Sequence, residues 1–171
     1  MNLAHYLNSL SDESARTALA ECCSAENWIQ GMLAARPFAS DQLVEAAAAE
    51  IAKQLSRGDW LQAFAAHPRI GDVESLRERY ASTKQWASSE QAQVAEANDA
   101  TIQELAHLNN DYVEKFGYIF IVCATGKSAD QMLAILRARL LNHPDAELLI
   151  AAQEQQKITL LRLRKLAPSI Q

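Results

Sequence analysis

Only one stretch of this chain is written like a β-strand. Tyr118-Ile119-Phe120-Ile121-Val122-Cys123-Ala124 is β-branched and aromatic, and Gly117 and Gly126 bound it. No second run of that kind occurs elsewhere. A lone strand has no partner with which to form a sheet, so the core has to be closed by helices. The run itself has two readings. As an extended segment, its N–H and C=O groups must find partners outside any ladder, which makes it a candidate wall for a polar heterocycle. Alternatively it is a buried piece of helix, which periodicity does not distinguish.

The rest of the chain predicts an all-α, single-domain bundle of about eight helices over residues 1–171. Glycine and proline, at five and four, punctuate it rather than fill it. Ser11-Asp12-Glu13 opens one helix with acids in its first turn, and Ala25 to Ala35 forms another that ends at Arg36-Pro37. Ser40-Asp41 caps a third, where Leu43, Ala47, Ile51 and Leu55 recur near helical spacing. Asp59 to Ala66 and Asp72 to Tyr80 are short. A long helix starts near Ser88, presents Ile102, Leu105, Asn109, Tyr112, Val113 and Phe116 to a core, and stops at Gly117. Ser128-Ala129-Asp130-Gln131 is a capping box for the next, and Pro144 suits the first position of the last.

A chain of 171 residues can bury roughly 70% of its unfolded surface without a metal or disulfide to hold it. A formal charge of −5 argues against a nucleic-acid partner. No apolar run approaches the ~20 residues of a membrane span, and Met1 to Leu10 carries no signal-peptide pattern. Three cysteines make no disulfide framework, and Cys123 reads as a buried small hydrophobe. A reducing cytoplasm fits. No Cys or His pair has ligand spacing, so no metal is expected, and no flavin, nicotinamide or pyridoxal signature is visible.

Chemistry concentrates at Phe64-Ala65-Ala66-His67-Pro68-Arg69-Ile70-Gly71-Asp72. Proline disfavours the α region for the residue before it, so a helix arriving through Trp60 and Phe64 stops near His67. Gly71 permits a turn, and Asp72 can cap the next helix. An imidazole is thereby held at a fixed corner, where a helix C-terminus favours its protonated form. The bland reading is a helix-loop-helix corner with a capping histidine. Of the other histidines, His5 lies near a terminus, His107 lies mid-helix, and His143 precedes Pro144, where it can cap.

Two further constellations weigh less. Thr125-Gly126-Lys127-Ser128 invites a phosphate-loop reading, but that motif needs glycine where Ile121 stands. What is left is a helix N-terminus suited to a small anion. Ser88-Ser89-Glu90-Gln91 is itself a capping box, with Glu90 favourably placed against the helix dipole. Its functional alternative is a carboxylate and a carboxamide aimed at a ligand from a helix end.

Taken in order, these pieces resemble one family. Phe64-x-x-His67-Pro68-x-Ile70-Gly71-Asp72, then Glu90-Gln91, then Phe116-Gly117-Tyr118-x-Phe120-Ile121-x-Cys123 is similar to the OHCU decarboxylases. OHCU is 2-oxo-4-hydroxy-4-carboxy-5-ureidoimidazoline, an intermediate between urate and allantoin. Cys22-Cys23-Ser24 with Trp28, Arg36-Pro37-Phe38, and Arg139-Leu140-x-Asn142 followed by Glu147 extend the likeness over nearly the whole chain.

The resemblance implies an all-helical homodimer that decarboxylates OHCU to S-allantoin without a cofactor. It casts His67 as acid/base and Glu90 as its catalytic companion. Ser88 and Gln91 would meet the substrate, and Pro68 with the Ile121, Val122, Cys123, Ala124 and Thr125 backbone would wall the pocket. Family members often carry arginine where Thr125 and Lys127 stand, so a bidentate guanidinium clamp is not available from those positions. The alternative function is a helical interaction module whose corner and caps are purely structural.

Overall fold

The structure, a computed structural model, describes residues 2–68, 72–80 and 88–167, with side chains at all of these except 88–98. Among the described residues there are nine helices and no strand. The expected caps open their helices. Ser11 accepts from Ser14 N–H ahead of α2 (Asp12–Cys22), Ser40 from Leu43 N–H ahead of α4 (Asp41–Ala52), and Asp72 from Ser75 N–H ahead of α6 (Val73–Arg79). Ser128 and Gln131 form the full capping box of α8 (Ala129–Leu140). Gly117 ends α7 (Ser88–Phe116) at φ 82°, a conformation that L side chains rarely adopt.

Three helices differ from the sequence expectation. α1 (Leu3–Ser9) is additional; it spans seven residues, too few to show a period, and starts where Asn2 accepts from His5 N–H. α5 (Arg57–Ala65) begins two residues before Asp59, because Ser56 and Asp59 cap it reciprocally. α3 (Glu26–Ala34) starts at Ala25 without a side-chain cap. The segment 119–124 is neither helix nor strand, which excludes the buried-helix reading. The Arg69, Ile70 and Gly71 part of the corner lies outside the described residues.

Contacts gather the chain into two compact units. The first comprises Met1–His67, Ile121–Cys123 and Leu148–Gln171, so it holds α1 to α5 and most of α9 (Pro144–Leu166). Leu7, Leu19, Trp28, Met32, Val44, Phe64 and Leu163 form its dry centre. Trp28 spends its indole N–H on the Ala48 carbonyl at 3.2 Å, tying α3 to α4. Gly31 lets those two helices approach, since a Cβ there would come within 2.7 Å of Ile51 Cγ2. Arg164 pairs with Glu45 and docks the end of α9 on α4.

The second unit comprises Pro68–Phe120 and Ala124–Glu147. Here α7 packs on α6 and α8, with Arg77–Asp99 and Arg137–Glu104 pairs across the seams. Its interior contains a charge. Arg139 donates to Glu147 at 2.7 Å, Asn142 donates to the other carboxylate oxygen at 2.8 Å, and the Tyr112 hydroxyl also donates to Glu147. The guanidinium stacks 4.7 Å from the Phe120 ring centre. Burial and the bond to Glu147 push the Tyr112 hydroxyl far above its ordinary pKa, so it stays protonated.

Candidate active site

His67 stands just beyond α5, where its N–H closes the last turn on the Phe64 carbonyl at 3.1 Å. The ring is half-buried, and its Nε2 lies 2.5 Å from Gln155 Oε1. Gln155 is on α9 and 1% exposed. Its amide nitrogen donates to Thr159 Oγ1 at 3.1 Å, one helical turn on, and Thr159 in turn donates to the Cys22 carbonyl at 3.4 Å. Three elements of the first unit, the end of α2, the corner after α5 and the middle of α9, therefore meet in one chain of polar contacts.

The residue beside Gln155 holds the other predicted piece of the site. Glu154 Oε2 accepts from the Cys123 N–H at 2.7 Å, while Lys157 pairs with Oε1 at 2.5 Å. A segment without a sheet thus finds its partner in a carboxylate. That carboxylate engages the Cys123 amide. Ile121 is 2% exposed, whereas Val122 and Cys123 are half-buried, so Cys123 is less enclosed than its apolar surroundings suggest. Cys22 and Cys23 are buried and free, and burial lifts the Cys22 thiol to about 12 and raises that of Cys23.

Electrostatics at His67 run opposite to the corner argument. Its pKa falls below 6.5, first because burial penalises the cation, and further because the Arg162 guanidinium repels it; the bond to Gln155 opposes both. A helix C-terminus favours charge only weakly, and desolvation outweighs it here. Protonating this ring costs more in the folded chain than in the unfolded one. Its contribution to stability is therefore full above the unfolded value of 6.5 and lost as pH falls through the lower folded value. The acid limb of any activity that needs neutral His67 is expected below pH 6.5 in a pH–rate profile. A midpoint above that value contradicts the burial argument.

His67 and Ile121–Cys123 share a unit and are anchored on adjacent residues of α9. Pro68, Ala124 and Thr125 belong to the second unit, where Pro68 and Thr125 are exposed and Ala124 is half-buried. Ser88, Glu90 and Gln91 lie on the first turn of α7, and their side chains are outside the described residues. Among the other histidines, His5, His107 and His143 are exposed, and His143 Nδ1 accepts weakly from Asp145 N–H at 3.4 Å. The first unit also holds a cavity of about 580 Å³ walled by Trp28, Trp60, Ala48, Leu55 and Leu160, with Thr159 in its wall and without His67.

Sequence reasoning missed Glu154, Gln155 and Thr159. They sit in or near Gln153-Glu154-Gln155-Gln156-Lys157, which reads as a solvated helix face. A signal was present nonetheless. Leu148, Ala152, Gln155, Thr159 and Leu163 follow helical spacing, so two polar residues occupy core positions of α9.

Comparison with known proteins gives a consistent result. The family model described as OHCU decarboxylase matches residues 8–164. The "Uric acid degradation bifunctional protein TTL" of Arabidopsis thaliana is 38% identical over 145 residues, 85% of this chain. This chain spans 45% of that plant protein's length. A "2-oxo-4-hydroxy-4-carboxy-5-ureidoimidazoline decarboxylase" of Haloferax volcanii is 28% identical over 92% of this chain and 91% of its own. A solved structure described as OHCU decarboxylase in the presence of (S)-allantoin superimposes with a TM-score of 0.69 at 37% identity, covering 92% of this chain and 98% of that one.

Proposed function

Because this chain belongs to the OHCU decarboxylase family, we propose that it removes carbon dioxide from OHCU and yields (S)-allantoin on the route from urate, with His67 as the acid/base. The observation that carries the reading is the family match over residues 8–164, within which the corner histidine is held by a buried amide. The chemistry suits such a site. The departing carboxylate of OHCU sits on C4 beside the imine carbon C5, so the electrons left by carbon dioxide flow into the C=N bond. The substrate is its own electron sink. The protein has to orient the carboxylate, move protons and protonate C5 from one face.

A neutral imidazole at pH 7 is the form that accepts a proton, and the lowered pKa of His67 supplies it. Nε2 is engaged by Gln155, so we assign Glu90 the C4 hydroxyl proton rather than the imidazole tautomer. Arg162 is the guanidinium that bears on His67, and we assign it to the substrate carboxylate in place of the missing arginines at 125 and 127. Ile121 and Val122 supply an apolar wall against which loss of charge is favoured. The same reading includes a cytoplasmic homodimer, which light scattering would report as a mass of two chains.

A pocket that delivers a proton from one side makes one enantiomer. OHCU generated enzymatically from urate decays alone to racemic allantoin. With this protein added, optically active product is expected to appear faster than that decay, followed by circular dichroism. Faster but racemic product would mean that C5 is protonated after release. Unchanged decay would leave only the helical interaction module.

A further inference from the structure

We propose that Gln155, oriented by Thr159, fixes the tautomer of His67 so that Nδ1 is the atom that exchanges protons with the substrate. This rests on His67 being the acid/base, as argued above. A primary amide has two ends of the same shape, one that only donates and one that only accepts. Which end faces the ring decides the chemistry of the ring, and the far end of the chain decides the amide.

The Cys22 carbonyl closes that far end. It is the last residue of α2, where carbonyls lack an intrahelical partner, and it can only accept. The donor that reaches it is the Thr159 hydroxyl, at 3.4 Å. With its proton committed there, Thr159 Oγ1 offers lone pairs, and it accepts from the Gln155 NH₂ at 3.1 Å. The Gln155 carbonyl then points at His67 Nε2, 2.5 Å away. An amide oxygen cannot donate, so Nε2 has to carry a proton whether the ring is neutral or charged. A neutral imidazole has one N–H, and Nδ1 is left with the lone pair.

The opposite arrangement leaves a buried carbonyl without its donor. Turning the amide over would aim NH₂ at Nε2 and force Thr159 to donate to Gln155, stripping the Cys22 carbonyl of that hydroxyl. Cys22 is 0% exposed, so its carbonyl would lose that donor inside the protein. The Cys23 thiol also reaches the Thr159 hydroxyl; burial keeps it protonated, so its S–H can donate to Oγ1 and leave the hydroxyl proton on the Cys22 carbonyl. An amide also does what a carboxylate in its place would not. It fixes the tautomer without a full negative charge, so the ring stays neutral against Arg162 and burial.

The test is ¹⁵N NMR of histidine-labelled protein above the His67 titration. His5, His107 and His143 are exposed, and the His67 signals are identified by their loss in His67→Asn. The expected spectrum has protonated Nε2 and bare Nδ1. Thr159→Val keeps the shape of the side chain and removes its hydroxyl. It is expected to mix the tautomers and lower kcat on the order of 10–100-fold at nearly constant KM, the range known for partners that orient a histidine ring. Thr159→Ser is expected to restore both. Gln155→Glu is expected to shift the acid limb of the pH profile upward. A parent protein with protonated Nδ1, or a Thr159→Val variant with unchanged tautomer and kcat, overturns the proposal. Should the tautomer be as stated while His67→Asn keeps its turnover, the hydrogen-bond chain stands and the acid/base assignment falls.

Discussion

His67→Asn is expected to lose decarboxylation by ~10²–10⁴-fold, the usual cost of removing a positioned acid/base, while its far-UV circular dichroism stays that of the parent. The two readouts separate because different atoms carry them. The corner is made by the end of α5, where the His67 N–H reaches the Phe64 carbonyl, and by Pro68; asparagine keeps that backbone bond. Its shorter amide ends near the position of Nδ1 and gives up the contact with Gln155, but the site is only half-buried, so no large cavity follows. What asparagine lacks is a group that gains and loses a proton near neutral pH. Turnover in the coupled assay within about threefold of the parent would make the imidazole a capping residue and remove the basis of the proposed chemistry.

Glu147→Ala is expected to be strongly destabilising, costing about 3–5 kcal/mol. Glu147 is fully buried and its partner Arg139 nearly so, at side-chain exposures of 0% and 7%. Truncation leaves a guanidinium inside the second unit without its carboxylate, and removes the acceptor of Tyr112 and Asn142 as well. For a chain of this length that loss corresponds to a fall in Tm on the order of 10 °C. Replacing both partners, as Arg139→Met with Glu147→Leu, is expected to recover most of it, because no lone charge is then buried. A Glu147→Ala melting curve within 2 °C or so of the parent would show that the pair contributes nothing net.

The starts and stops of the helices were legible because they are local chemistry. Ser11, Ser40, Asp72 and Ser128 each cap an N–H three residues on, and a side chain three positions away is visible in any sequence. Gly117 is legible for the same reason. α1 was missed because seven residues under an asparagine show no period. The corner histidine was legible too, since Pro68 follows it whatever the fold. The environment of that histidine was not. The local helix-end argument favours a charged ring, whereas burial lowers its pKa.

The sequence by itself determined the helical class, the caps, the corner that presents His67 and the family that this ordered set of residues belongs to. Only the tertiary structure decided what each reactive group leans on. His67 meets Gln155 across 88 positions, Tyr112 meets Glu147 across 35, and Cys123 meets Glu154 across 31. A cap is settled by one turn of backbone geometry. Such long-range pairs are settled by which faces of the chain close on α9, and by the water this excludes. That exclusion is what lowers the pKa of His67, and it requires Gln155 and Thr159, polar residues at core spacings, to satisfy one another inside.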